Sequence, residues 1–177
     1  ISDVANQPMK SSCGRYVMVY NGEVYNFKDI AKELVNISWK TSSDSEVVLE
    51  AFTKWGVEFV NKLNGMFAFV IFDKVTKELF GARDRFGIKP FYYLIDNSTF
   101  IFASEIRSIK AVRKNPLSVN DQAIFDYLAF NRTDHSNYTF YSDIKKIPHG
   151  HYFTINCDNR FQIHQWYDLE SNCDKKE

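Results

Sequence analysis

Seven consecutive residues, Met66-Phe67-Ala68-Phe69-Val70-Ile71-Phe72, carry no polar side chain. A half-buried strand alternates apolar with polar positions, so an unbroken run of this length reads as a strand buried on both faces. It is far too short to cross a bilayer, which takes about 20 apolar residues in a helix. Such a strand needs apolar material on either side. The chain supplies it, with 16 Phe, 10 Tyr and 3 Trp among 177 residues. Aromatic side chains favour strands and bury large areas, so the expectation is a β-rich, layered core.

Other segments fill in the order. Residues 15–20 read as a strand preceded by a turn at Ser12-Cys13-Gly14, and residues 23–25 continue it beyond an interruption at Asn21-Gly22. Asn26 is placed to cap a helix over 27–35, with Ile30, Ala31 and Leu34 on one face. Ser43-x-x-Glu46 has the form of a capping box before a second helix, and Gly56 is its natural stop. A shorter helix is expected over 58–62. Further strands are expected over 78–82, 91–95 and 99–103, the last two joined by a turn at Asp96-Asn97-Ser98. Ser104 is placed to cap a helix through Lys110, and Ser118 or Asn120 one through Phe130. Residues 131–146 read as irregular. Residues 151–156 and 161–166 form a last hairpin around Asp158-Asn159, and the polar stretch 171–177 reads as a frayed end or linker. Strands outnumber helices, and the helices fall between groups of strands. That pattern favours α+β with layered sheets over a parallel doubly wound fold.

Composition narrows the function. Twenty-two basic residues balance 22 acidic ones. A nucleic-acid binder normally carries a basic surplus to neutralise phosphates, so none is expected as a partner. No basic-then-apolar leader opens the sequence and no membrane segment is visible. Three cysteines, Cys13, Cys157 and Cys173, form no C-x-x-C pair. An odd set of this kind suits reduced thiols in a cytoplasmic protein. His149 and His151 sit two apart, but no third ligand is evident, and no metal site is expected. The length suits one domain, or one domain and a tail. The first residue is Ile1, which points to a fragment, a processed product or an incomplete start.

Three features could carry chemistry. Asn21-Gly22 inside an apolar strand is a local conflict. Its structural reading is a bulge or tight turn. Its chemical reading is an oxyanion hole, in which the Asn amide and the Gly backbone N–H converge on a developing negative charge. Asp44 stands at a helix start, where it either caps the helix or holds a substrate ammonium. Residues 82–93, with Arg83, Asp84, Arg85 and Lys89, read as a salt-bridge network or a phosphate-binding turn.

These residues resemble the amino-terminal glutamine amidotransferase domain of the glutamine-hydrolysing asparagine synthetases. The matching segments are Asn6-Gln7-Pro8-Met9, Tyr20-Asn21-Gly22-Glu23-Val24-Tyr25-Asn26, Ser43-Asp44-Ser45-Glu46-Val47-Val48, Asn64-Gly65-Met66-Phe67-Ala68-Phe69, residues 82–93, and Phe102-Ala103-Ser104-Glu105-Ile106. Ile147-Pro148-His149-Gly150-His151 follows, with His149 where the family usually has a second Pro, and Trp166-Tyr167-Asp168-Leu169 resembles the exit toward a synthetase domain. The resemblance implies the four-layer α/β/β/α sandwich of amino-terminal nucleophile hydrolases over residues 1–168, with a linker starting at 169–177.

It also implies the chemistry. The family attacks the glutamine carboxamide with the thiol of an amino-terminal Cys whose own α-amine is the base. The thioester is hydrolysed, and ammonia passes through an internal channel to the synthetase domain. There ATP activates aspartate as an acyl-adenylate and ammonia displaces AMP. Carried onto this sequence, Asn21 and Gly22 are the oxyanion donors, while Glu23 and Asp44 hold the glutamine ammonium. The glutaminase domain needs no cofactor; ATP and Mg belong to the synthetase domain. Glutamine and that domain are the implied partners, and the family allows a homodimer. The nucleophilic Cys and a carboxylate-binding Arg fall upstream of Ile1, so residues 1–177 alone are expected to be inactive. Cys13-Gly14 imitates the nucleophile but its α-amine is locked in a peptide bond. Two other readings stand beside this one: a truncated, non-catalytic binding module, and the glutaminase half of an enzyme amidating another acceptor, such as a sugar acid of a surface polysaccharide.

Overall fold

The computed structural model describes residues 6–96, 99–113 and 115–173. The chain divides into two compact units, Ile1–Lys89 with His149–Glu177, and Pro90–Pro148.

The first unit is built on six strands: β1 (Met9–Lys10), β2 (Tyr16–Val24), β3 (Gly65–Asp73), β4 (Leu79–Arg83), β8 (His151–Ile155) and β9 (Phe161–Gln165). They lie in the order β1-β2-β3-β4-β8-β9, and every neighbouring pair is antiparallel. The apolar run falls inside this sheet, and Phe67, Ala68, Phe69, Val70 and Ile71 are all buried, so both faces of β3 are covered as expected. Helices α1 (Phe27–Glu33) and α2 (Asp44–Trp55) supply Ile30, Val47, Val48, Leu49 and Ala51 to a core shared with Met18, Val24, Phe67, Phe69, Ile71 and Phe80. Phe52, Phe59, Phe69 and Phe80 form a ring cluster, with centroids 5.2–6.1 Å apart. This is where much of the aromatic surplus goes.

Asn21-Gly22 makes neither a bulge nor a turn. The β2–β3 register runs without a slip from Tyr16↔Asp73 to Val24↔Gly65, through Asn21↔Ala68 and Gly22↔Phe67. The glycine serves close approach instead. A Cβ on Gly22 would stand 2.5 Å from the Met66 carbonyl oxygen and 2.7 Å from the Phe67 Cα.

Two expected caps work differently. Asn26 occupies the N-cap position of α1 without capping it. Its amide donates to the Lys62 carbonyl, and its Oδ1 accepts from the Asn64 amide, so it clamps the chain entering β3. In α2 the Ser43 hydroxyl accepts from the Glu46 amide, as a capping box requires. The return bond goes elsewhere: the Glu46 carboxylate accepts from the Lys40 and Thr41 amides and the Thr41 hydroxyl. Gly56 ends α2 with φ 58°, and a 3₁₀ helix, Gly56–Lys62, follows. A short helix, α5 (Leu169–Asn172), capped by Asp168, takes in Ser171 and Asn172 at the start of the stretch expected to fray; residues 174–177 lie outside the described residues.

The second unit holds β5 (Tyr92–Asp96), β6 (Thr99–Ala103) and β7 (Lys145–Lys146), in the order β6-β5-β7, with helices α3 (Ile106–Val112) and α4 (Asp121–Phe130). The β5–β6 register ends at Asp96↔Thr99; of the turn expected at Asp96-Asn97-Ser98, Asn97 and Ser98 lie outside the described residues. Glu105, not Ser104, takes the N-cap position of α3, without a side-chain cap. Asn120 caps α4 by accepting from the Ala123 amide, and Asn131 closes it in the left-handed region. Leu94, Ile109 and Ile144 form a core of their own.

Candidate functional site

Successive backbone N–H groups of a strand point to opposite edges. The Tyr25 amide donates to the Asn64 carbonyl, on the β3 side of β2. The even-numbered amides therefore face the other edge, and two of them are seen doing so. The Tyr20 amide donates to Gln7 Oε1 at 2.6 Å, and the Val24 amide to Asp44 Oδ2 at 2.8 Å. Strand β1 pairs with only Val17 and Met18 along that edge. Gly22 lies midway between Tyr20 and Val24, so its N–H points out at an edge that, among the described residues, no strand covers beyond Met18.

Asp44 stands at the first helical position of α2, but Ser43 does the capping. The aspartate turns across to β2 instead. Its Oδ2 accepts from the Tyr20 hydroxyl at 2.6 Å as well as from Val24. Two residues of strand separate Gly22 from Val24, about 7 Å. A donor suited to an oxyanion and an anchored carboxylate thus share one open edge at roughly the reach of an extended amino acid. Burial, and then the bond to Asp44, raises the Tyr20 hydroxyl well above the ordinary tyrosine range, so it acts as a donor throughout the physiological range.

Side-chain alternation puts Asn21 and Glu23 on the face of β2 opposite Tyr20 and Val24. Asn21 is half-buried, and Glu23 is exposed. No contact joins Glu23 to Asp44 among the described residues, although Glu23 adds negative charge near Tyr20. The structure therefore brings Gly22 and Asp44 to one edge and leaves Asn21 and Glu23 on the adjoining face.

The 82–93 segment is organised by backbone bonds. Asp84 is buried, and its carboxylate accepts from the amides of Phe67, Phe86, Ile88 and Lys89. Arg83 donates to the Lys89 and Gly87 carbonyls, and Arg85 to the Leu63 carbonyl while lying over the rings of Trp166 and Tyr167. The segment is a cross-braced loop, so the expectation of a phosphate-binding turn finds no support in these contacts, all four amides being taken by Asp84.

Cys13 is exposed, with its sulfur 3.2 Å from the Ser11 hydroxyl. It precedes β2, and from Tyr16 to Asn21 alone the strand runs about 17 Å. That separation removes Cys13 from the site. Two participants carried no sequence-level role, Tyr20 and Gln7. Both lie in segments the family resemblance marks, and that was their only signal.

A family model for the glutamine amidotransferase domain matches residues 1–167. The chain belongs to this family. The amidotransferase domain is 38% identical over 162 residues to asparagine synthetase [glutamine-hydrolyzing] 1 of Bacillus subtilis, covering 89% of this chain and 25% of that protein. It is 36% identical, also over 162 residues, to asparagine synthetase [glutamine-hydrolyzing] 2 of the same organism, covering 88% and 22%. The chain thus spans about a quarter of the length of these relatives. Among solved structures it resembles the glutamine phosphoribosylpyrophosphate amidotransferase of B. subtilis with a TM-score of 0.62 at 19% identity, over 91% of this chain and 32% of that one. That likeness shows the fold: α+β, of the amino-terminal nucleophile hydrolase type.

Proposed function

We propose that the amidotransferase domain binds glutamine on the open edge of β2 and hydrolyses it to glutamate and ammonia, which the full-length protein uses for ATP-dependent amidation of aspartate. The observation that carries this reading is the pairing of the outward Gly22 N–H with the anchored Asp44 carboxylate on that edge. Asp44 binds the α-ammonium, with Glu23 adding negative charge at the same end of the strand. The carboxamide then lies toward Gly22. A thiol supplied outside residues 1–177 attacks its carbon, and the carbonyl oxygen becomes an oxyanion received by the Gly22 N–H and the Asn21 amide. Fixed donors of this kind need no reorganisation as charge develops. Ammonia leaves, and water cleaves the thioester to release glutamate.

Among the described residues no group of three His, Cys, Asp or Glu side chains could hold a metal. ATP and magnesium fall to the synthetase domain, and no step here runs through them. The amidation of aspartate, rather than of another acceptor, is supported by the names of the relatives.

Asp44→Asn in the full-length protein tests the site. Loss of a charge-assisted bond to the ammonium should raise the KM for glutamine roughly 10- to 100-fold. The ammonia-dependent reaction bypasses this site and should hold its rate. An equal loss in both reactions would make Asp44 a folding residue.

A further inference from the structure

Tyr20 touches the site through both its backbone and its side chain. The Gln7 side-chain amide grips the Tyr20 backbone on both sides, donating to its carbonyl at 2.7 Å and accepting from its amide at 2.6 Å. It takes the place of a paired strand just where β1 stops. The Tyr20 ring stacks on Phe69, with centroids 6.5 Å apart. Its hydroxyl then donates to Asp44 Oδ2. That oxygen already accepts from Val24, so both bonds fall on one carboxylate oxygen. Asp44 Oδ1 receives no hydrogen bond among the described residues.

A carboxylate held through one oxygen cannot spin about its terminal torsion without breaking both bonds, and that torsion is otherwise broad. We infer that Tyr20 is a positioning residue for glutamine: with Val24 it locks Asp44 so that Oδ1 faces the α-ammonium. The inference rests on the assignment of Asp44 to the ammonium. Gln7 holds the Tyr20 backbone in place for this, and the same grip fixes the strand one residue before the oxyanion pair.

The test is a double-mutant cycle in the full-length protein with Tyr20→Phe and Asp44→Asn, read as KM and kcat for glutamine and as the ammonia-dependent rate. Phenylalanine keeps the ring and its stacking and removes only the hydroxyl. Tyr20→Phe should raise KM about 3- to 10-fold, the loss of one hydrogen bond to a carboxylate, with kcat within about 2-fold. In the Asp44→Asn background the same change should add less than about 2-fold, because nothing remains to be aimed. A KM that stays level or falls in Tyr20→Phe, while Asp44→Asn raises it, overturns the positioning role and leaves the ammonium assignment standing. Full additivity of the two changes, or an equal loss of the ammonia-dependent rate, makes Tyr20 structural and also overturns it. If Asp44→Asn itself leaves KM unchanged, the ammonium assignment fails first, and the positioning role with it.

Discussion

Asp84 and Phe67 are joined twice: the Asp84 amide donates to the Phe67 carbonyl at 2.8 Å, and the Phe67 amide donates to the Asp84 carboxylate at 3.3 Å. The pair fixes the loop after β4 against the strand at the heart of the sheet. Oδ1 accepts from Phe86 and Ile88, and Oδ2 from Phe67 and Lys89. Asp84→Asn must therefore aim its NH₂ at two amide donors, whichever way it turns. We expect a loss of about 2–4 kcal/mol in unfolding free energy, from buried donors left unpaired. Urea denaturation measures it. A change under about 0.5 kcal/mol would mean the loop is held by other contacts.

Gly22→Ala should fail for a different reason. The new methyl would meet backbone on the neighbouring strand, not the end of a flexible side chain. The β2–β3 pair must then separate, at about 1–3 kcal/mol as overpacking does elsewhere, and the outward N–H shifts with it. Thermal unfolding should show the lower stability, and the glutamine-dependent rate should fall further than the ammonia-dependent one. Unchanged melting would contradict the close approach.

Asp73 gives the pH dependence. The bond from the Arg15 guanidinium, helped by the Val75 and Thr76 amides, holds its carboxyl well below the usual carboxylate range. A carboxylate lowered in the folded state stabilises above its unfolded value, near about 4, and loses that contribution as pH falls toward the folded value. The melting temperature of Asp73→Asn should lie below that of the unmodified protein at pH 7, and the gap should narrow below about pH 4. A gap that stays constant would rule out this linkage.

The succession of the longer strands along the chain was legible because it rests on local patterns, whereas their order in the two sheets was not. The apolar run of β3, the Asp158-Asn159 turn between β8 and β9, and the Gly56 stop each follow from near neighbours in sequence. For the candidate site the residues alone left a structural and a chemical reading side by side, and only the family resemblance chose between them. Asp44 at a helix start looks like a cap, and only the fold shows it crossing to Tyr20, 24 residues away. Asn21-Gly22 looks like a break, because local rules for Gly do not include the backbone of a strand more than 40 residues on. Asn26 and Glu46 were found as capping residues, yet their bonds go to partners set by tertiary packing. Asp84 reads as one charge among four, and its four amide donors appear only when the loop closes over it.

Asn21→Asp in the full-length protein tests the central claim most directly. The change keeps the shape but replaces an N–H donor by a group that only accepts. A donor to the oxyanion acts mainly in the transition state, so kcat for glutamine hydrolysis should fall about 10²- to 10³-fold while KM changes much less. The thiol should still react with an electrophilic glutamine analogue, only more slowly. An unchanged kcat with a melting temperature lower by several degrees would make Asn21-Gly22 a packing feature of β2 and contradict the account.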